Sequence, residues 1–181
     1  MLTNLMSLQG RRAMITGAAG GIGRVMTDTL AEMGADLVLV DLPGVSLEFL
    51  TSAVTEKWQI DAQSLTCDLE SETDRNALAE AVLADTRGLN ILVNNAAFVG
   101  ASGLSGWAEP FDKQSLDTWR RALEVNLTSV FHLSQLFVPT LRKSVGGNIV
   151  NIASIYGQWG PDWSLYEGTA MANPAAYGVS K

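Results

Sequence analysis

Short apolar runs alternate with longer segments of helical periodicity along the whole chain. Strands are predicted at 13–15, 37–41, 62–67, 91–93 and 148–152. Helices are predicted at 22–33, 46–58, 72–86 and 115–143. In the first helix Ile22, Val25, Met26 and Leu30 recur at helical spacing and predict its buried face, and Gly34 is placed to end it.

This alternation determines the predicted fold class. Strands separated by helices pair in parallel through right-handed crossovers, which predicts an α/β fold with a doubly wound parallel sheet. Ligands of such sheets bind beyond the carboxyl ends of the strands, near the point where the strand order reverses. Four glycine-rich or polar segments directly follow predicted strands, and they begin at Gly17, Asp41, Asn94 and Ser154. We therefore expect a binding site assembled from these four segments.

Composition and charge exclude several classes of function. The chain has 181 residues, of which 47% are hydrophobic, and its net charge is −7. This acidity argues against nucleic-acid binding, which needs a clustered basic surface. A single cysteine, Cys67, and a single histidine, His132, cannot build a disulfide or a typical nitrogen–sulfur metal site, so no metal is expected, and Cys67 is expected to be buried. With neither a signal peptide nor a bilayer-length apolar run, a cytoplasmic protein without membrane contact is expected.

A glycine-rich turn at 16–23 lies where the first strand feeds the first helix. Glycines in this position allow a tight turn, let the backbone approach a pyrophosphate and direct helix N–H groups at it. The predicted cofactor-binding residues of this turn are Gly17, Gly20, Gly21, Ile22 and Gly23. Their spacing fits both Gly-x-x-x-Gly-x-Gly and Gly-x-x-Gly-x-x-Gly, so the turn predicts dinucleotide binding and leaves the subclass open.

Asp41 ends the second predicted strand, where a carboxylate can accept hydrogen bonds from the ribose hydroxyls of adenosine. The same charge would repel a 2′-phosphate, so NAD is favoured over NADP as cofactor. The residues that follow, Leu42, Pro43 and Gly44, include no cation that could compensate. The alternative is an aspartate that only starts a turn.

Towards the end of the sequence, Tyr177 and Lys181 are spaced four residues apart. On a helix this spacing projects both side chains from one face, so they can reach the same pocket. A free tyrosine, with a pKa of about 10, is a poor base at neutral pH, and a neighbouring ammonium favours its phenolate form. The pair is therefore a candidate acid–base unit, whereas Tyr156 and Tyr166 have no lysine in the same position.

Taken together, these features resemble the short-chain dehydrogenase/reductase family. The matching motifs occur in the family's order along essentially the whole chain, at 16–23, Asp41, 68–69, 94–97, Asn126, Ser154 and 177–181. One departure is Ala97, where the family more often has glycine. The resemblance implies a Rossmann-like sheet and an NAD(P)-dependent oxidoreductase that works through a Ser-Tyr-Lys mechanism.

The resemblance implies a catalytic set of Asn126, Ser154, Tyr177 and Lys181. Ser154 would hydrogen-bond the substrate oxygen, and Asn126 would keep a water in the proton relay. Tyr177 would exchange the proton, and Lys181 would also hold the nicotinamide ribose, so both are expected to contact the cofactor.

Four further cofactor contacts are implied by the same resemblance. Asp68 would face the adenine ring, and Leu69 beside it belongs to the same expected set. Asn94 and Ala96 would line the cofactor cleft through backbone contacts.

Family members continue past the lysine through two more strands, a substrate-covering segment and a dimer-forming helix. We therefore expect residues 1–181 to form a single dinucleotide-binding domain that is incomplete at its C-terminus and lacks the last strands of the family fold. The intact protein is expected to be a homo-oligomer, either a dimer or a tetramer.

The spacing between Ser154 and Tyr177 is longer than in most family members. The additional residues contain aromatic rings, amides and carboxylates, including Trp159, Trp163 and Glu167, which suit a polar, flat-faced ligand such as a sugar ring. The alternative is a surface excursion without substrate contact. A second insertion-like stretch, 98–114, is expected to border the same cleft as a flap.

The function predicted from these features is hydride transfer between NAD(H) and a secondary alcohol or ketone, with sugar-type compounds among the candidate substrates. One alternative is a nucleotide-sugar epimerase or dehydratase with a bound NAD, which the spacing of Gly17, Gly20 and Gly23 permits. The other is a non-catalytic dinucleotide-binding protein, which would not need Ser154, Tyr177 and Lys181 together.

Overall fold

The computed structural model describes residues 5–100 and 104–181. Five strands form one parallel sheet in the order β3-β2-β1-β4-β5. The strands are β1 (Arg12–Thr16), β2 (Asp36–Asp41), β3 (Ala62–Thr66), β4 (Ile91–Asn94) and β5 (Asn148–Asn151). The helices are α1 (Gly21–Glu32), α2 (Glu48–Trp58), α3 (Glu72–Leu83), α4 (Leu116–Leu123), α5 (Ser129–Lys143) and α6 (Ala175–Ser180). This architecture confirms the predicted doubly wound α/β sheet.

The strand order reverses between β1 and β4. From β1 the chain builds outward through β2 and β3, and it then returns to pair β4 on the other side of β1. The register aligns Ile15 of β1 with Leu39 of β2 and with Val93 of β4, so the carboxyl ends of these strands meet at one edge. That edge is where a doubly wound sheet binds its ligands.

Two apolar cores cover the two faces of the sheet. Because side chains alternate along a strand, Met14 faces one core and Ile15 the other. The first core includes Phe137 of α5, and the second includes Val54 of α2. Strands β1, β2 and β4 are almost continuously apolar, which is typical of strands that are covered on both faces.

Helix α1 buries only part of the predicted face, since Met26 and Leu30 pack half-buried against the second core. Its buried residues are Gly23, Thr27 and Ala31, whereas Ile22 and Val25 are 59% and 66% exposed. The reason is steric, because a Cβ at Gly23 would lie 2.1 Å from the carbonyl oxygen of Gly17, so only small side chains allow this approach. The helix ends as predicted at Gly34, which has a φ of 90°.

The long predicted helix at 115–143 is interrupted by a π-helical turn. This turn spans Glu124–Thr128 between α4 and α5, and the chain remains helical on either side of it. Pi turns recur at functional sites because they redirect side chains that a regular helix would place elsewhere. Asn126, a predicted site residue, lies within the turn and is buried.

No helix among residues 5–100 and 104–181 is long and apolar enough to cross a membrane. In the same ranges, no group of three His, Cys, Asp or Glu residues is arranged to hold a metal ion.

Cys67 is a free thiol with 2% of its surface exposed, as the sequence predicted. Burial, reinforced by the nearby Asp74 carboxylate, raises the pKa of the Cys67 thiol to about 12. Because the thiolate is the reactive form, we expect iodoacetamide at pH 8 to label folded protein at least ~100-fold more slowly than guanidinium-unfolded protein. Mass spectrometry of quenched time points measures both rates, and equal rates would contradict the buried, protonated thiol.

Candidate functional site

A cleft of about 820 Å³ opens at the carboxyl ends of the strands. Its walls are contributed by the turn after β1, the end of β2, the segment after β3, the segment after β4 and the helix α4 with the π turn that follows it. The predicted cofactor-binding residues that line it are Gly17, Gly20, Gly21, Ile22, Gly23, Asp41, Asp68, Leu69 and Ala96. The structure therefore brings most of the predicted cofactor set to one cavity, of a size suited to a nucleotide ligand.

The glycine turn packs directly against the chain after β4. Gly17 has a φ of 65°, and a Cβ there would lie 2.8 Å from the Cα of Ala96. A Cβ at Gly21, by contrast, would meet no atom within 4 Å. Gly17 is thus required by the protein's own packing, whereas the surroundings of Gly21 leave open space.

The amino end of α1 can hold an anionic group. Its N-cap residue is Gly20, which supplies no side-chain hydrogen bond to the first turn. Backbone N–H groups at a helix start lack intrahelical partners, and the helix dipole adds positive potential there. Because this helix end also lines the cleft, it offers the donor set that a pyrophosphate requires.

A cluster of hydrogen bonds joins β1 to the segment after β4. The Thr16 hydroxyl accepts from the backbone N–H groups of Asn95 and Ala96, both at 3.1 Å. In return, the Asn95 side chain donates to the carbonyls of Thr16 and Gly17, at 2.9 and 3.1 Å. Asn94 is placed differently, since it is 3% exposed and its amide donates to Asn151 of β5 at 2.9 Å. Asn95, absent from the predicted site set, is the residue that secures the strand-order reversal.

Asp41 lies in the cleft wall and also contacts the glycine turn. Its carboxylate accepts from the backbone N–H of Ala19 at 2.8 Å and from that of Leu42 at 2.9 Å. A carboxylate offers about four acceptor positions, so these two bonds leave capacity for a ligand. The contact with Ala19 was not predicted, because its partner is 22 residues away along the chain.

The segment that carries Asp68 and Leu69 is held by a buried arginine. Arg75, which is 2% exposed, donates to the carbonyl of Leu69 and forms an ion pair with Glu124 at 2.8 Å. The same guanidinium donates to Nδ1 of His132 at 3.1 Å. Arg75 was not predicted as a site residue. The one feature of the sequence that could have indicated it is a charged residue on the face by which α3 packs against the core.

Tyr177 and Lys181 lie at the carboxyl-terminal part of the described structure, on and directly after α6. The Lys181 ammonium donates to the carbonyl of Ile152 at 2.5 Å, and its burial lowers the pKa of the Lys181 side chain. Ser154 accepts from the backbone N–H of Tyr156 at 3.3 Å. The Tyr156 ring in turn lies edge-on to the Tyr177 ring, with 6.5 Å between centroids. The loop that bears Ser154 therefore packs against the helix that bears Tyr177.

Asn126 connects the cleft to this helix. Its Oδ1 accepts from the backbone N–H of Phe98 at 2.7 Å, and its Nδ2 donates to the Phe98 carbonyl at 3.1 Å. The same Nδ2 group donates to the hydroxyl of Ser180 at 2.9 Å. Because Phe98 lines the cleft and Ser180 precedes Lys181, one buried amide links two parts of the predicted site.

Comparisons with known proteins agree with this geometry. The family model described as short chain dehydrogenase matches residues 11–172. Over 150 residues the chain is 38% identical to a 7alpha-hydroxysteroid dehydrogenase of Escherichia coli K12, covering 82% of this chain and 54% of that protein. The chain thus spans about half the length of this relative.

Two solved structures share the fold at comparable similarity. A short chain dehydrogenase from Shigella flexneri 2a strain 301, complexed with NADP, has a TM-score of 0.81 and 27% identity, covering 96% of this chain and 67% of its own. An NAD⁺-bound xylitol dehydrogenase has a TM-score of 0.80 and 32% identity, covering 96% of this chain and 60% of its own. On these matches and the sheet topology, the chain belongs to the short-chain dehydrogenase/reductase family of oxidoreductases.

Proposed function

We propose that the protein transfers a hydride between NAD(H) and a secondary alcohol or ketone, with Tyr177 exchanging the proton. The observation that carries this proposal is the Asn126 amide, which hydrogen-bonds Phe98 in the cleft wall and Ser180 beside Lys181. This contact supports the proposal, because hydride transfer coupled to proton transfer would need the dinucleotide cleft and the acid–base helix to be neighbours.

The cleft residues suit a nicotinamide dinucleotide. The N–H groups at the start of α1 would hold the pyrophosphate, and Asp41 would accept from the ribose hydroxyls of adenosine. Asp68 and Leu69 line the wall in which the adenine ring would lie. When bound, the nicotinamide ring supplies the hydride in reduction and accepts it in oxidation.

The proton is handled by residues of this chain. In reduction, the Tyr177 hydroxyl gives its proton to the substrate carbonyl oxygen as the carbonyl carbon gains the hydride, and the product is an alcohol. Ser154 would donate a hydrogen bond to the same oxygen and hold the carbon in place. The Lys181 side chain is held by the carbonyl of Ile152, directly after the helix that carries Tyr177, and would hold the nicotinamide ribose. Oxidation runs through the same groups in reverse.

The preference for NAD rests on Asp41. Of the two solved structures named above, one holds NADP and the other NAD⁺, so the family accommodates either cofactor. In this chain the Asp41 carboxylate is fixed by Ala19 and Leu42 beside the cleft. A 2′-phosphate at this position would place like charges close together without an adjacent lysine or arginine on the segment after β2.

A polyol or sugar-type substrate fits the loop between Ser154 and α6. Tyr156 in this loop contacts the Tyr177 ring, so part of the loop borders the reacting position. Trp159 and Trp163 lie further along the loop and are 73% and 56% exposed, which leaves their faces available to a ring or polyol chain. The similarity to a xylitol dehydrogenase supports the same substrate class.

The proton-exchange role of Tyr177 is tested by Tyr177→Phe in the full-length gene product. We expect turnover to fall about 10²–10⁴-fold, because the ring remains while the exchangeable proton is lost. Nicotinamide absorbance measures turnover against a panel of polyols, hydroxy sugars, keto sugars and simple secondary alcohols. Ser52→Ala, which removes an exposed hydroxyl on α2, is the control and should retain activity.

Two outcomes would contradict the proposed function. Undiminished turnover in Tyr177→Phe would remove the assignment of the proton donor. Product formation without net change in nicotinamide absorbance would favour an epimerase or dehydratase that regenerates its own cofactor.

The cofactor preference is tested by Asp41→Asn. Loss of the charge should lower the ratio of kcat/KM for NAD over NADP by about 10-fold or more, because a repulsion of roughly 1.4 kcal/mol or greater is removed. Asp36→Asn, at the opposite end of β2, is the control and should leave the ratio unchanged. A wild-type protein that already prefers NADP would contradict the role of Asp41.

A further inference from the structure

The side chain of Gln114 bonds three backbone groups, which belong to two segments of the chain, through one amide. Its Nε2 group donates to the carbonyl of Glu109 at 3.0 Å and to that of Asn173 at 3.1 Å. Its Oε1 accepts from the backbone N–H of Ala175 at 2.9 Å. Both donor hydrogens and one acceptor position of the amide are thus used, and two of the partners lie about 60 residues away in sequence.

Helix α6 has an N-terminus that its own sequence cannot cap. The residue before it is Pro174, which has no side-chain acceptor and makes no capping hydrogen bond. The first N–H groups of a helix need partners from outside the helix. Gln114 supplies this partner to Ala175, the first helical residue, and so acts as a cap contributed from another segment.

The helix depends on such contacts because it is short. It spans the six residues Ala175–Ser180. An isolated helix of this length is not stable in water, because too few hydrogen bonds form to offset the unfavourable free energy of nucleation. Tyr177 lies in its first turn, two residues after the N–H that Gln114 accepts. Any loosening of that turn would therefore displace the Tyr177 hydroxyl before it affected the cleft.

A second contact joins the same two segments. The backbone N–H of Ala172 donates to the carbonyl of Ala108 at 3.1 Å, and Asn173 is 6% exposed. Behind them Trp107, which is 5% exposed, packs with Ala176 in a small apolar cluster against which Tyr177 also packs. The stretch predicted as a flap is thus attached, from Leu104 to Gln114, to the start of α6.

We propose that Gln114 is a positioning residue for the reaction, whose amide caps α6 from outside and fixes the Tyr177 side chain against the substrate. This inference rests on the proposed function of Tyr177. It adds a residue that contacts neither the cleft nor the predicted catalytic side chains, and it assigns a use to the segment between β4 and α4.

The substitution Gln114→Ala removes all three hydrogen bonds of this amide. We expect kcat to fall about 10- to 100-fold in Gln114→Ala, because small misplacement of a reacting group costs this much. The KM for NAD should stay unchanged, because the residues of the cofactor cleft are not touched.

Positioning and general destabilisation are distinguished by two further readouts. Hydrogen exchange should quicken at the Ala175 amide in Gln114→Ala while the amides of β1 and β4 keep their protection. The pH profile of kcat/KM should also shift, because Tyr177 moves relative to Lys181. A loss of folded protein alone would lower kcat/KM by the same factor at every pH, so the pH values at which the profile rises and falls would not change. Gln135→Ala, an exposed substitution on α5, is the matched control.

A rescue variant tests the cap directly. Pro174→Asp in the Gln114→Ala background gives α6 a side-chain cap of its own, which should recover part of kcat and return the pH profile towards the wild type.

Unchanged kcat and pH profile in Gln114→Ala, with Tyr177→Phe inactive, would overturn the role of Gln114 and leave the proposed function intact. A lowered kcat with an unshifted pH profile and no rescue by Pro174→Asp would overturn it equally, because the role would then be only structural. An active Tyr177→Phe variant would instead remove the proposed function on which this inference rests.

Discussion

The close packing of the glycine turn against the chain that follows β4 is the contact on which the cleft depends. Gly17 and Gly23 leave no room for a Cβ, so α1 starts directly over the end of β1. Thr16 and Asn95 then exchange hydrogen bonds across the point where the strand order reverses. If either contact were lost, the N–H groups of α1 and the wall around Ala96 would no longer face the same cavity.

Side-chain amides and a guanidinium carry this geometry outward to the rest of the site. Arg75 holds the segment of Asp68 and Leu69 to the π turn through Glu124. Asn126, within that turn, bonds the cleft wall and the end of α6, and Gln114 bonds the start of the same helix. Each of these groups has several donors or acceptors in a fixed plane, so one side chain can bond groups from two or more parts of the chain at once.

The order of strands and helices could be predicted because the apolar runs and their helical spacing are local signals. The full contact face of α1 could not be predicted. Periodicity ranks Ile22 and Val25 as core residues, but they are exposed, whereas Gly23, Thr27 and Ala31 are the fully buried residues of the helix. A helix that packs closely against a backbone turn accepts only small residues at the point of contact. The hydrophobic pattern of the helix contains no information about how close that contact is. The π turn at Asn126 is equally invisible to a pattern that continues helically on both sides of it.

The sequence by itself determined the fold class, the place of the cleft at the carboxyl ends of the strands and the motifs of the family, because each depends on residues close together in the chain. Only the tertiary structure decided which polar groups hold those motifs in place. Arg75 with Leu69 and Glu124, and Gln114 with Ala175, are contacts between segments that lie apart in sequence or on separate elements. Their partners include backbone carbonyls and N–H groups, which every residue type has, so no residue pattern could have identified them.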